Sequence, residues 1–135
     1  MEAAIPDFRW LDRELLLAIH EEQLAQHGGG AGIRDIGLLE SALARPINQA
    51  GYTADADVCA LATAYAFGIA RNHPFIDGNK RTAYVAMELF LIDHGFILTA
   101  EDGEAVLTFI ALASGHIGEE ELAAWIRRNV TPVSA

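Results

Sequence analysis

The chain has 135 residues, a length that suits one domain with a single core. Nine basic against nineteen acidic residues give a net charge of −10, which opposes the attraction that sequence-independent nucleic-acid binding requires. No uninterrupted apolar run reaches the ~18 residues of a membrane span, "MEAAIPDFRW" lacks the order of a signal peptide, and the single cysteine cannot close an internal disulfide. The expectation is a soluble cytoplasmic protein with neither nucleic acid nor membrane as a direct partner.

Helical spacing dominates the chain. From Trp10 to Gln26, Leu11, Leu15, Ala18 and Ile19 share one stripe, and "HGGG" at His27 to Gly30 stops the helix. Asp35 suits the cap of a short second helix through "IGLLESALAR", ended by Pro46, which constrains Arg45 away from helical angles. Ile47 to Asp57, "INQAGYTADAD", then reads as an exposed connection. Positions 58 to 70, with Cys59 as a small core residue, and 82 to 92 are apolar nearly all the way round, which places both helices mid-bundle. An amphipathic pair follows, with Val106, Phe109, Ile110 and Ala113 on one stripe and Leu122, Trp125 and Ile126 on the other. No pair of alternating segments joined by a hairpin turn appears. These patterns predict an all-α domain of about six helices, residues 1–130 forming the domain and 131–135 a flexible tail.

The two central helices are joined by "NHPFIDGNKR", Asn72 to Arg81. If the second of them starts near Gly78 or Asn79, its first N–H groups lack partners and carry the positive end of the helix dipole. Gly78 lets backbone approach an anion, Asn79 can cap or donate, and Lys80 and Arg81 add cations that the dipole disfavours unless something negative arrives. A phosphate chain would supply it. Asp77 suits a Mg²⁺ ion beside such phosphates, and His73, with an ordinary pKa of ~6.5, suits a base that takes a proton from a hydroxyl. Phe75 reads as an anchor into the core. Each residue taken singly also has a plain reading as turn or solvated surface; their joint placement on a connector between buried helices favours the chemical one.

The stretch "HPFIDGNKRTA" resembles the signature of the Fic/Doc family, and "GIRDIGLLESALARP" from Gly32 to Pro46 resembles its Doc branch. The resemblance implies a Fic-type helical fold, His73 as base, Asp77 as the Mg²⁺ ligand, and Gly78, Asn79, Lys80 and Arg81 as the phosphate cradle for ATP. Arg71 would either reach the same phosphates or close the preceding helix against its C-terminal dipole. Fic proteins that transfer AMP usually carry a glycine where Lys80 stands and an arginine where Tyr84 stands. The Doc-like form implies γ-phosphoryl transfer to a threonine or serine of a translation protein similar to elongation factor Tu, by a toxin restrained by a Phd-like antitoxin. Adenylyl transfer from the same cradle, or a catalytically idle nucleotide- or partner-binding domain, are the rival functions. The family's inhibitory motif, Ser or Thr followed four residues on by Glu, is absent; from Thr99 the fourth residue is Gly103. Restraint should therefore come from a separate chain, and Ile47 to Asp57 would correspond to a target-holding flap. His20, Glu22 and His94 receive no role from sequence.

Overall fold

Three aspartates start the first three helices. The structure, a computed structural model, describes residues 8–53 and 55–133. Asp12 accepts the Leu15 N–H at 2.8 Å and opens α1 (Arg13–His27), Asp35 accepts that of Leu38 at 3.0 Å and opens α2 (Ile36–Tyr52), and Asp57 accepts that of Ala60 at 2.8 Å and opens α3 (Val58–Asn72). Each carboxylate satisfies an amide with no partner inside its helix and sits at the positive end of the dipole. Helix α4 (Asn79–Asp93) starts differently: Gly78 occupies its cap position and offers no side chain.

The expected central pair is α3 and α4. Helix α3 packs against α2, α4, α5 (Asp102–Ala113) and α6 (Glu119–Arg128), and α4 against α1, α3 and α5. Tyr65, Ile69, Phe75, Met87, Phe90 and Leu91 are fully buried, so the connector is anchored in the core through Phe75 while His73, Ile76 and Asp77 stay exposed. Burying side chains of this size stabilises by about 1.5–3 kcal/mol each, which fixes the two helix ends that flank the connector. Cys59 is buried and free. Among the described residues no helix is long and apolar enough to cross a membrane.

Four expectations are corrected. Pro46 does not end α2, which runs on to Tyr52, so only residues 53–57 separate α2 from α3 and a flap over 47–57 is not seen as a loop. Proline inside a helix costs about 3 kcal/mol, but Pro46 lies buried on the same face as Leu39, Ala42 and Leu43. That face meets α3 at Gly68, where an added Cβ would stand 3.2 Å from the Ala42 Cα, and this close packing outweighs the lost hydrogen bond. The stripe of α1 is rotated: Leu16, Ile19, His20 and Gln23 are buried, whereas Leu15 and Ala18 face outward. In α5 the buried residues are Ala105, Phe109 and Leu112, and Val106 and Ile110 are exposed. Finally, β1 (Phe96–Leu98) and β2 (Val130–Pro132) pair antiparallel, with Phe96 opposite Pro132. The Val133 N–H adds a bond to the Gly95 carbonyl at 2.8 Å, so the chain expected to loosen at 131 is paired through 133; Ser134 and Ala135 lie outside the described residues.

Candidate active site

The connector 72–78 is clipped along its length by the segment that leaves α1. Its peptide groups need partners, and Gly28 to Asp35 supply them. The N–H groups of Arg34 and Asp35 donate to the Pro74 carbonyl at 2.7 and 3.1 Å, the Ile76 N–H donates to Gly32 at 3.1 Å, and Ile33 and Phe75 form an antiparallel bridge. The Arg34 guanidinium donates to the carbonyls of Asn72 and His73, both at 2.7 Å. His73 is exposed and left-handed, with φ 51° and ψ 55°. It is the one non-glycine residue with positive φ among the described residues, a conformation costing about 1–2 kcal/mol.

Beneath the loop, Phe75 is fully buried and stacks on His20 with ring centroids 3.8 Å apart and planes 7° from parallel. His20, itself buried, places Nε2 2.8 Å from the Asp77 carbonyl oxygen. In the tautomer that carries its proton on Nε2, it donates to that carbonyl. Asn79 closes the turn from the other side: its Oδ1 accepts the Phe75 N–H and its Nδ2 donates to the Phe75 carbonyl, both at 3.0 Å. The Asn79 side chain, expected in the phosphate cradle, is buried and engaged in this clasp.

At the outer surface Asp77 accepts N–H groups from Gly30 at 3.2 Å and Gly78 at 2.9 Å. These two bonds, with the charges of Arg81 and Lys80 beyond them, hold its carboxyl below the ordinary carboxylate range despite the opposing effect of desolvation. It is therefore ionised at neutral pH. Among the described residues the N–H groups of Asn79, Lys80 and Arg81 have no acceptor, the first α4 amide bond being Thr82 to Gly78. Arg81 donates from one terminal nitrogen to the Gly28 carbonyl at 3.1 Å, while its buried Nε finds no partner among the described residues. Carboxylate, uncapped helix end and arginine thus share one rim, with a backbone left-handed at Gly78 (φ 78°).

Glycine 29 is part of that rim. A Cβ there would stand 2.9 Å from Asp77 Oδ2, at φ 124°, whereas at Gly28 (φ 78°) nothing lies within 4 Å. Gly29→Ala should cost about 1–3 kcal/mol and displace the carboxylate. Gly28→Ala should carry the backbone strain alone. Denaturant melts of the two variants check this, and equal losses would contradict a crowded Asp77.

Arg71 does not enter this rim. Its Nε donates to the Leu112 carbonyl at 2.7 Å and a terminal nitrogen to that of Ile117 at 3.0 Å, with the Phe67 ring 4.8 Å away. It ties the end of α3 to the α5–α6 connection. Sequence reasoning missed His20, Arg34 and the Gly28–Gly30 turn; the glycine run beside the Doc-like segment was the available signal. Glu22 is exposed and accepts from Gln26 at 3.1 Å. His94 accepts the Arg9 N–H on Nε2 at 2.9 Å and packs against Phe90 with its ring tilted 32°, so it belongs to the core's edge.

Beside Lys80 and Arg81 an open cavity of about 610 Å³ runs between α1, α4 and α5, bordered by Tyr84, Glu88, Val106 and Phe109. Burial pushes the Tyr84 hydroxyl up to about 12, so this position brings no charge of its own near neutral pH. Burial, and with it the charge of Asp102, raises the Glu88 carboxyl above its ordinary value against an opposing hydrogen bond. The folded state therefore holds the Glu88 proton more tightly than the unfolded chain does, so stability falls as pH rises from the unfolded value of 4.5 through the raised one. Glu88→Gln should raise the melting temperature at pH 7, with the gain fading near pH 4. An unchanged melt at pH 7 would refute the assignment.

Residues 10–91 match the Fic/DOC family. The chain is 32% identical over 120 residues to a protein kinase doc of Escherichia phage P1, covering 89% of this chain and 94% of that protein. It is 40% identical over 93 residues to a toxin Doc of Mycolicibacterium smegmatis, covering 68% of this chain and 69% of that one. The family match spans α1 to α4, including the clipped connector and the rim built on it; the chain belongs to the Fic/DOC family, on its Doc branch.

Proposed function

We propose that this protein is a Doc-like toxin that uses Mg²⁺ and ATP to phosphorylate a serine or threonine hydroxyl on a translation protein similar to elongation factor Tu. The observation that carries the reading is the uncapped start of α4: three N–H groups without acceptors, a buried Arg81 Nε without a partner, and an ionised Asp77 beside them. These donors fit a phosphate chain, which would satisfy the amides and Arg81 together and offset the adverse placement of two cations against the dipole. Asp77 would hold Mg²⁺. Among the described residues no three His, Cys, Asp or Glu side chains cluster, which suits an ion completed by phosphate oxygens and water. When bound, the ion would neutralise phosphate charge.

Arg81 and the α4 amides orient the nucleotide and stabilise negative charge on the γ-phosphoryl oxygens. His73 takes the proton of the incoming hydroxyl. The hydroxyl oxygen bonds to the γ-phosphorus as the bond to the β–γ bridging oxygen breaks, ADP leaves, and the imidazole later releases its proton to water. Lys80 in place of glycine and a neutral Tyr84 in place of a second arginine favour phosphoryl over adenylyl transfer. The names of the two relatives, a protein kinase and a toxin, support the same choice, and a Phd-like antitoxin is the expected restraint.

Incubation with a cell lysate and ATP labelled at either the α- or the γ-phosphate tests the proposal. Protein label from γ alone is the expected result. Label from α alone means adenylyl transfer, and label from neither means a domain that binds without chemistry.

A further inference from the structure

We infer that Arg34 is a positioning residue for His73, fixing the imidazole through the backbone rather than by touching it. The inference deepens the proposed function and rests on its assignment of His73 as base. His73 occupies a conformation that its own chemistry resists twice over. A side chain bearing Cβ avoids φ 51°, and a residue preceding proline, here Pro74, is pushed toward extended angles. Such strain persists only where surrounding structure overrides it.

Arg34 is the group that overrides it. Its Nε and one terminal nitrogen reach the His73 and Asn72 carbonyls at 2.7 Å each, so a planar fork spans the last carbonyls at the end of α3. Those carbonyls have no acceptor duty left inside the helix and carry its negative end, so a delocalised cation there is favoured by charge as well as geometry. Pro74 is pinned at the same time, because its carbonyl receives the main-chain N–H groups of Arg34 and Asp35. The residue is thus fixed on both sides, with the side-chain fork setting φ and ψ at His73 and the main chain holding the proline. Release of the fork would let His73 relax toward extended angles and so change the direction of its Cα–Cβ bond.

The main-chain bonds survive substitution, so Arg34→Ala should keep the clip while losing the fork. Its kcat for γ-phosphoryl transfer should fall about 100-fold, with the KM for ATP little changed, and millimolar guanidinium should restore a large part of the rate. Arg34→Lys should stay slow because a single ammonium cannot span two carbonyls. The ¹³Cα and ¹³Cβ shifts of His73 should move from left-handed toward extended values in both variants, a readout that is independent of turnover. His73→Ala serves as the control. If His73→Ala is inactive while either Arg34 variant keeps wild-type kcat and wild-type His73 shifts, the inference is overturned and the proposed function stands. If His73→Ala keeps its activity, the proposed function itself fails. Should Arg34→Ala not fold, the lysine variant decides alone.

Discussion

His73→Ala should abolish measurable transfer from the γ-phosphate, a loss of about 10²–10⁴-fold, while the melting temperature stays within a few degrees of the parent. The two halves of this result come from different features. In the proposed mechanism the rate falls because the attacking hydroxyl loses its base and must shed its proton to water. The stability holds because His73 is exposed and its ring makes no hydrogen bond among the described residues; its structural contribution is a carbonyl that accepts from Arg34, which alanine keeps. His73→Asn sharpens the comparison. Asparagine tolerates left-handed angles better than histidine does, so this variant should be at least as stable as His73→Ala and equally inactive. A label-transfer assay beside a thermal melt reads both, and transfer at the parental rate in either variant would remove histidine from the chemistry. In cells the same substitution should relieve toxicity, whereas an idle binding domain would remain as toxic as before.

The parts legible in the sequence were those governed by local pattern. Two helices apolar on every side had to be central, and a polar connector between them had to lie at the core's edge, so His73, Asp77 and Lys80–Arg81 could be picked out together. The misreadings share one cause: they depend on what lies across the fold. Three consecutive leucines, Leu15 to Leu17, give α1 no unique phase, and its true face is fixed by His20 meeting Phe75 and Asp77 more than fifty residues on. Arg71 has two destinations of equal local plausibility, and the partners it meets, the Leu112 and Ile117 carbonyls, lie across the fold where local pattern cannot see them. Pro46 reads as a stop until the contact of Ala42 with Gly68 shows what the continuing helix gains. Val106 and Ile110 mark a real apolar stripe on α5, but it borders the open cavity beside Lys80 and Arg81, whereas the core face lies over Ala105 and Leu112.

Asn79→Ala should destabilise the protein by about 2–4 kcal/mol, the largest stability loss expected of any motif side chain apart from Phe75. The amide makes two buried hydrogen bonds to the Phe75 backbone, and alanine leaves that N–H and C=O without partners in a place water does not reach. A buried polar group deprived of its partner costs about 1–3 kcal/mol, which doubled and offset by local relaxation gives the stated range. For a chain of this length it corresponds to a fall of roughly 10 °C in melting temperature. Asn79→Asp tests the geometry of the clasp. Its Oδ1 can still accept the Phe75 N–H, but the second oxygen now faces the Phe75 carbonyl with no proton between them. That repulsion ends when the carboxyl is protonated, so the deficit of the aspartate variant should shrink as pH falls toward its pKa, while the deficit of the alanine variant should not. If Asn79 instead served mainly to hold phosphate through its side chain, alanine would raise the KM for ATP and leave the melt unmoved. The clasp makes the opposite demand: stability falls first, and activity falls with it because Phe75 and Asp77 are then no longer held in one turn.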